Sequence, residues 1–363
     1  EVRTDESAVT APKTDPGTKG IDFDNYRFEG EKGVTEQRRD EPAKRDTIQT
    51  RPHGPKPFRF PIQKNYNTAF YTDYVVTQFD NSYFSNNYQV FSNSGSPVYL
   101  NPGFNFVNKV AISDLFEDMR IVGGYRFNPF PSGGNEFMLS WEQRRGKIDH
   151  QILLDRMTLD KESAAGDVTG KMHTYSTRYS MRIPFSPVAS VRFSLLYRFD
   201  QNVTLSYGDV SVGRKNTYSS LAGTRAEFIY DNTRKVMLNI LNGMRAKVWT
   251  EYWLHTGDKV GNLFTSGFDV RHYQRVHRQI TWCNRFAGGN SLGSERLLFY
   301  LGGVDNWFRP TFNNNVTVLH PETYGYQTLA TDMRGFTQNI RNGNNFLLYN
   351  TELRVPFVRY FID

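Results

Sequence analysis

The chain has 363 residues, of which 38% are hydrophobic and 15% aromatic, and its formal net charge is +7. No run approaches the roughly 20 apolar residues of a membrane-spanning helix, which excludes helical membrane proteins, and the composition fits collagen, coiled coils and disordered chains poorly. The single cysteine, Cys283, excludes an intrachain disulfide. What remains is a soluble all-β protein or a β-barrel, since a barrel crosses a bilayer without a long apolar run.

Residues 1–66 differ in composition from the rest of the chain. They are rich in charged residues, Pro and Gly, and show no sustained apolar period. This composition predicts a solvated linker or arm. Because the chain opens at Glu1 without an initiator Met or an apolar leader, we expect a processed chain or a fragment.

From Thr68 onward, apolar and polar side chains alternate. Around residues 191–195, for example, Phe193 and Leu195 alternate with Arg192 and Ser194. A period of two over about ten residues is typical of a half-buried strand, and no segment has a comparable period of 3.6. The pattern predicts an all-β fold with twelve strands, near residues 68–79, 104–113, 118–128, 135–144, 147–157, 172–183, 189–201, 222–231, 243–255, 263–273, 276–287 and 345–357.

The connections and the two faces favour a transmembrane antiparallel β-barrel over residues 67–363. Some connections are short, and others are long and rich in Asn, Gly and Ser, as in outer-membrane barrels. The polar face repeatedly carries Arg with small residues, which fits a wet lumen, and the apolar face fits lipid. A large soluble sandwich or propeller is the alternative, although no propeller repeat of about 40 residues is visible. The long predicted loops cover residues 80–103, 158–170, 202–221 and 288–344.

Arg334 lies in the long segment before the last predicted strand, and Glu352 lies in the polar register of that strand. A loop that folds into the lumen would bring the guanidinium of Arg334 against the carboxylate of Glu352. Arginine suits this role because its planar fork binds a carboxylate bidentately and stays charged. An exposed Arg-Gly turn is the alternative interpretation of the same residues.

Met-Arg-Gly-Phe at 333–336 resembles the Arg-Gly-Phe/Tyr motif of the bacterial surface antigen barrels, the superfamily of the BamA and TamA assembly pores. Further similar pieces follow the family's order over about residues 220–357. They are Glu227–Arg234, Asn242–Arg245, Phe299–Gly303 and Thr351–Pro356.

The resemblance implies a barrel of sixteen strands in the bacterial cell outer membrane, with the sixth outer loop folded into the lumen. Arg334, Gly335 and Phe336 would form the loop motif, and Glu352 would be one acidic partner on the wall. Four strands and a second acidic partner would lie after Asp363. Because open sheet edges are not tenable in lipid, we expect an incomplete chain or a second chain that closes the sheet.

The opening of the chain resembles the connector in proteins that join a TolB-like β-propeller to a surface-antigen barrel. Residues 1–66 would then be a periplasmic linker or arm. They are too short for the periplasmic repeat domains of the assembly pores, which separates this chain from those proteins.

Four smaller patterns are interpreted as structural rather than functional. Gly289–Gly293 matches the Gly-x-Ser-x-Gly nucleophile elbow, but no helical pattern follows, so we interpret it as a glycine-rich turn in an outer hairpin loop. The histidines, including His272 and His277, lack metal-ligand spacing. Asp269 and Arg271 share one strand face, which predicts a structural pair on the wall. The aromatics Tyr83, Phe84 and Tyr88 are expected to anchor their loop at the membrane interface.

The sequence therefore predicts an outer-membrane barrel that takes part in insertion or translocation of proteins at the outer membrane. We expect no enzymatic activity, catalytic residue, cofactor or metal. The expected partners are outer-membrane lipid, other outer-membrane or periplasmic subunits and client proteins, but not nucleic acid. The first alternative is a structural barrel subunit that anchors a periplasmic domain or a secretion or assembly complex. The second is a surface hydrolase built around Ser291.

Overall fold

The chain divides into two units, Glu1–Lys64 and Asn65–Asp363, and the described residues all belong to the second. The linker predicted over residues 1–66 therefore lies outside the described residues. The computed structural model describes residues 67–80, 82–84, 88–91, 105–128, 134–162, 168–205, 215–237, 239–257, 260–277, 280–304, 311–331 and 333–356.

The described residues are built almost entirely from β-strands. One 3-10 helix, Pro321–Thr323, is present, and no helix in these ranges has the length and apolarity needed to cross a membrane. The strands are β1 (Phe70–Phe79), β2 (Gln89–Val90), β3 (Phe106–Asp114), β4 (Met119–Phe127), β5 (Asn135–Gln143), β6 (Asp149–Glu162), β7 (Val168–Pro184), β8 (Ala189–Thr204), β9 (Thr217–Asp231), β10 (Arg234–Met237), β11 (Ile240–His255), β12 (Asn262–His277), β13 (Ile280–Gly293), β14 (Arg296–Leu301), β15 (Tyr324–Thr331), β16 (Arg341–Gly343) and β17 (Asn345–Arg354).

Twelve strands form one large antiparallel sheet in the order β1-β3-β4-β5-β6-β7-β8-β9-β11-β12-β13-β17, and β10 pairs with β11 beside this path. These twelve are the strands that the alternating pattern predicts, so the all-β class and the antiparallel sheet are confirmed. Within the described residues, β1 pairs only with β3 and β17 only with β13. Closure of the sheet into a barrel stays a prediction.

The large sheet has one apolar, exposed face, called here the outer face. On β8, Leu195 is 58% exposed, whereas its neighbours Ser194 and Leu196 are buried. On β17, Leu347 is 67% exposed and Leu348 is buried. Successive side chains of a strand point to opposite faces, so the exposed large apolar side chains share the outer face. The opposite, inner face carries the buried charged side chains and some buried apolar ones.

A second sheet, the inner sheet, packs against the inner face of the large one. Its order is β16-β14-β15-β2, with β14 and β15 parallel. Its buried side chains contact the large sheet in one apolar cluster. The members are Leu297, Phe299 and Tyr326 of the inner sheet and Leu196, Leu221, Trp253 and Leu263 of the large sheet.

The inner sheet corrects the prediction that residues 80–103 and 288–344 are loops, because both segments contribute strands to it. The reason is visible on β14, whose sequence Arg-Leu-Leu-Phe-Tyr-Leu has four consecutive buried residues. A strand that is buried on both faces has a continuous apolar run rather than an alternation. A search for alternating apolar and polar residues therefore does not detect such a strand.

The location predicted for Gly289–Gly293 is also wrong, because these residues end strand β13 rather than form an outer loop. A Cβ on Gly288 would lie 2.8 Å from the ring of Phe268, and a Cβ on Gly289 would lie 2.5 Å from the ring of Phe346. These glycines thus make room for aromatic rings on the two faces of the sheet.

Candidate functional site

The Met-Arg-Gly-Phe segment forms a tight turn. The backbone N–H of Phe336 donates to the carbonyl of Met333 at 3.3 Å, and Gly335, the third residue of the turn, has a φ of 86°. A positive φ at this position is required in type II turns and favours glycine. The conformation, rather than lack of space, therefore explains Gly335, since a Cβ there would meet no atom within 4 Å.

The turn is held by Gly302 and Gly303, which follow β14. The N–H of Gly303 donates to the carbonyl of Phe336 at 3.0 Å, and the N–H of Met333 donates to the carbonyl of Gly303 at 2.9 Å. Gly302 has a φ of 111°, and a Cβ on it would lie 2.0 Å from the carbonyl oxygen of Thr337. Two segments that carry the family resemblance, 299–303 and 333–336, are thus hydrogen-bonded to each other.

Arg334 and Glu352 lie close together. Arg334 Nη1 is 3.6 Å from Glu352 Oε1, and the Arg334 side chain is 75% exposed. Arg354 approaches the same carboxylate more closely, since its Nε and Nη2 both donate to one oxygen, Glu352 Oε2, at 3.2 and 3.0 Å. Because strand neighbours two residues apart share a face, Arg354 is the stronger partner of Glu352. Phe336, the last residue of the motif, is exposed.

Asp269 is shared by two arginines on neighbouring strands. Arg271 Nε donates to Asp269 Oδ1 and its Nη2 to Oδ2, both at 2.9 Å. Arg285 Nη2 on β13 donates to Asp269 Oδ2 at 2.7 Å. The structure therefore contains the predicted contact of Asp269 with Arg271, and adds Arg285, whose position opposite Arg271 follows from the pairing of β12 with β13.

A larger charged cluster lies at the centre of the inner face. Arg225 Nη2 is 2.8 Å from Glu227 Oε1, and its Nη1 contacts Glu251. Lys247 Nζ also lies 2.8 Å from Glu227 Oε1. Each of these buried carboxylates has at least one cation as partner, which offsets the cost of burying a charge.

Two buried arginines hold the segment that follows β1. Arg126 Nε donates to Glu136 Oε2 at 3.0 Å, and this pair is 1% and 0% exposed. Glu136 in turn accepts the backbone N–H of Phe84 at 3.0 Å. Arg198, which is paired with Asp200 at 2.8 Å, donates through Nη1 to the carbonyl of Tyr88 at 2.6 Å.

Tyr83, Phe84 and Tyr88 therefore belong to the inner side of the sheet, and the prediction that they anchor the loop at a membrane interface is wrong. Tyr83 stacks on the buried guanidinium of Arg126, with 4.6 Å between the guanidinium carbon and the ring centroid. The sequence does not predict this anchor. The alternation places Arg126 and Glu136 in the polar register of their strands. It does not indicate that Glu136 also binds the backbone of Phe84, which is distant in the sequence.

Three tyrosine side chains on the inner side of the large sheet lose their proton only at high pH. Burial is the largest cause and raises the pKa of Tyr83, Tyr300 and Tyr326 well above the usual value. These groups therefore stay neutral and act as hydrogen-bonding and packing groups near neutral pH.

Ser291 is fully buried on β13, and its Oγ accepts the backbone N–H of Leu297 at 2.8 Å. Residues 280–304 form strands and a short turn around it, without the helix of a nucleophile elbow. No group of three or more His, Cys, Asp or Glu side chains in the described part of the chain is arranged to hold a metal ion.

Comparison with known proteins gives no assignment: no family model matches the chain, and no curated protein matches it at a significant level. The resemblance to the surface antigen barrels therefore depends on the motif residues alone and stays a prediction.

Proposed function

We propose that this chain forms the wall of an outer-membrane β-barrel whose lumen is occupied by its own inner sheet. One observation carries the proposal: the large sheet exposes big apolar side chains on its outer face and packs charged pairs on its inner face. A soluble sandwich has the opposite arrangement, with an apolar inner face and a charged outer face. A lipid-facing wall around a polar lumen requires the arrangement seen here.

The length of the strands supports the same proposal. Strands β6–β9 and β11–β13 have 14 to 17 residues. About 9–11 residues of a tilted strand suffice to span a bilayer. Such strands would cross the hydrocarbon and extend beyond it at the end that carries the longer connections.

In a membrane, the edge strands β1 and β17 would each need a hydrogen-bonded partner strand. An unpaired backbone group in hydrocarbon costs several kcal/mol, so an open edge is not stable in lipid. Both edge strands carry exposed apolar side chains, among them Val75 and Leu353. We therefore propose that additional strands, or a second chain, complete the wall.

Quenching of tryptophan fluorescence by brominated lipid tests the membrane position. Trp282 is partly exposed on the outer face, whereas Trp253 is buried under the inner sheet. A variant that retains only Trp282 should be quenched in brominated bilayers, and one that retains only Trp253 should not. Equal quenching of both, or a chain that stays monodisperse in buffer without detergent, would overturn the proposal.

For the role of the barrel, we propose participation in insertion or translocation of proteins at the outer membrane, without enzymatic chemistry. The support is the motif resemblance, together with the direct contact between its segments 299–303 and 333–336. Depletion of the protein in its host should lower the levels of many unrelated outer-membrane barrels. Normal levels of those barrels would contradict this role.

The second candidate is a structural barrel that anchors a periplasmic domain or a secretion or assembly complex. The observation that favours it is the apolar contact between the inner sheet and the wall, where Leu297 and Tyr326 pack on Trp253. An inner sheet fixed in this way suits a barrel that does not conduct. In the depletion experiment this candidate predicts loss of one complex only, with other barrels unchanged.

A further inference from the structure

A cavity of about 420 Å³ lies between the inner face at β12, β13 and β17 and the end of β15. Its volume is within the range of small-molecule sites in proteins. Four arginines line it: Arg271, Arg285, Arg334 and Arg354. They come from three wall strands and from the inner turn, so the fold, rather than one local segment, assembles them.

Among the described residues, the charges around this cavity do not balance. Asp269 is the carboxylate partner of Arg271 and Arg285, and Glu352 is the carboxylate partner of Arg334 and Arg354. In this part of the chain four guanidinium groups thus share two carboxylates, an excess of two positive charges. The buried pair Arg126–Glu136, in contrast, is matched one to one.

The guanidinium groups also keep donors for a ligand. Arg334 has a single contact among the described residues, the 3.6 Å approach to Glu352. Arg271 and Arg285 each use Nε and Nη2 on Asp269, and the described contacts of both leave Nη1 without a hydrogen bond to a carboxylate. Arg271 also has a side-chain hydrogen bond with Tyr273. Arg285 and the exposed Arg334 therefore offer the N–H donors for a ligand, and a planar guanidinium binds phosphate oxygens with favourable geometry.

We propose that this cavity binds a phosphate-class anion with two or more negative charges, either a free phosphate or diphosphate or the phosphomonoester headgroup of a lipid. Two negative charges would neutralise the excess charge. Arg285 of the large sheet and Arg334 of the inner turn would bind the anion directly. Arg271, held by Asp269, and Arg354, held by Glu352 and the carbonyl of Asn239, would add positive charge. This site does not depend on the role proposed above in protein insertion.

The first experiment titrates the full chain, purified in detergent, with inorganic pyrophosphate by calorimetry. We expect saturable binding that weakens with salt, and a loss of about tenfold or more in affinity for Arg285→Gln, as expected for one charge-assisted contact of about 1.4 kcal/mol. Arg334→Gln should show a similar loss, and because its side chain is 75% exposed the variant should fold normally. The matched control is Arg192→Gln, an arginine of the inner face that pairs with Glu227 and does not line the cavity.

A parallel titration with phosphatidic acid in nanodiscs separates the two sources of the anion. Tighter binding of pyrophosphate supports a free anion, and binding of phosphatidic acid alone supports a lipid headgroup. No binding of either probe would overturn the proposal. Binding that Arg285→Gln and Arg334→Gln leave as strong as Arg192→Gln does would overturn it as well.

Discussion

Strands of the large sheet bury the side chains of one face, whereas a central strand of the inner sheet buries side chains on both faces. A strand of the large sheet has two environments, so on β8 the exposed Leu195 is followed by the buried Leu196. A central strand of the inner sheet has one environment, so on β14 Leu297 and Leu298 are both fully buried. The first kind of strand has an alternating sequence and the second a continuous apolar one.

The inner segments of the molecule also differ in how they are attached to the large sheet. Apolar contacts fix β14 and β15 to the wall, whereas buried ion pairs fix the segment around Phe84 and Tyr88. The Arg334 turn is fixed mainly by backbone hydrogen bonds to Gly303. The three attachments should therefore contribute different amounts to the free energy of unfolding. Substitutions in each attachment can rank these contributions.

The largest effect is expected for Glu136→Gln, which leaves the charge of Arg126 buried without its carboxylate. Removing one partner of a buried ion pair costs about 3–5 kcal/mol. The free energy of unfolding, measured by urea titration in detergent, should fall by about that amount. Glu142→Gln is the matched control, since Glu142 pairs with the exposed Arg144, and it should cost below about 1 kcal/mol. Equal losses for the two variants would contradict the buried anchor.

Leu297→Ala should be next in size. Leu297 is fully buried between the inner sheet and the wall, and truncation of a buried Leu to Ala costs about 2–5 kcal/mol. Leu347→Ala on the outer face is the control, because its side chain remains in an apolar environment of detergent or lipid. Unfolding in detergent should distinguish them by about 2 kcal/mol or more. A larger loss for Leu347→Ala would mean that the outer face is packed against protein.

Gly302→Ala tests the support of the turn. A Cβ at this position would lie 2.0 Å from the carbonyl of Thr337, and the φ of 111° is itself unfavourable for alanine. Gly335→Ala has the positive φ without the clash, so it should cost only about 1–2 kcal/mol. Limited proteolysis of the turn should therefore be faster in Gly302→Ala than in Gly335→Ala. The reverse order would mean that the turn does not depend on its contact with Thr337.

The large sheet could be predicted from the sequence and the inner sheet could not, and both outcomes have a physical reason. The twelve strands on the main path of the large sheet were predicted, because alternation such as that of Phe193 with Arg192 reflects their two environments, whereas the short β10 was not. Strand β14 was missed because burial on both faces removes the alternation, and β15 because its buried residues include Gln327 and Thr328 beside Tyr326. The sequence predicts that Arg334 lies near Glu352, and the structure agrees. It does not predict that Arg354, two residues from Glu352 on the same strand, makes the shorter hydrogen bonds to this carboxylate.

The smallest effect on stability is expected for Arg334→Gln. The Arg334 side chain is 75% exposed and approaches Glu352 only to 3.6 Å, whereas Arg354 donates two hydrogen bonds to the same carboxylate. Exposed ion pairs contribute about 0–1 kcal/mol, because water screens the charges and ordering the side chains costs entropy. A double-mutant cycle of Arg334→Gln with Glu352→Gln should therefore give a coupling energy below about 1 kcal/mol, with unchanged heat-modifiability on gels. A coupling of several kcal/mol would require a closed and dry lumen around Glu352. The excess positive charge at the cavity would then be buried, and its anion would be needed for stability as well as for binding.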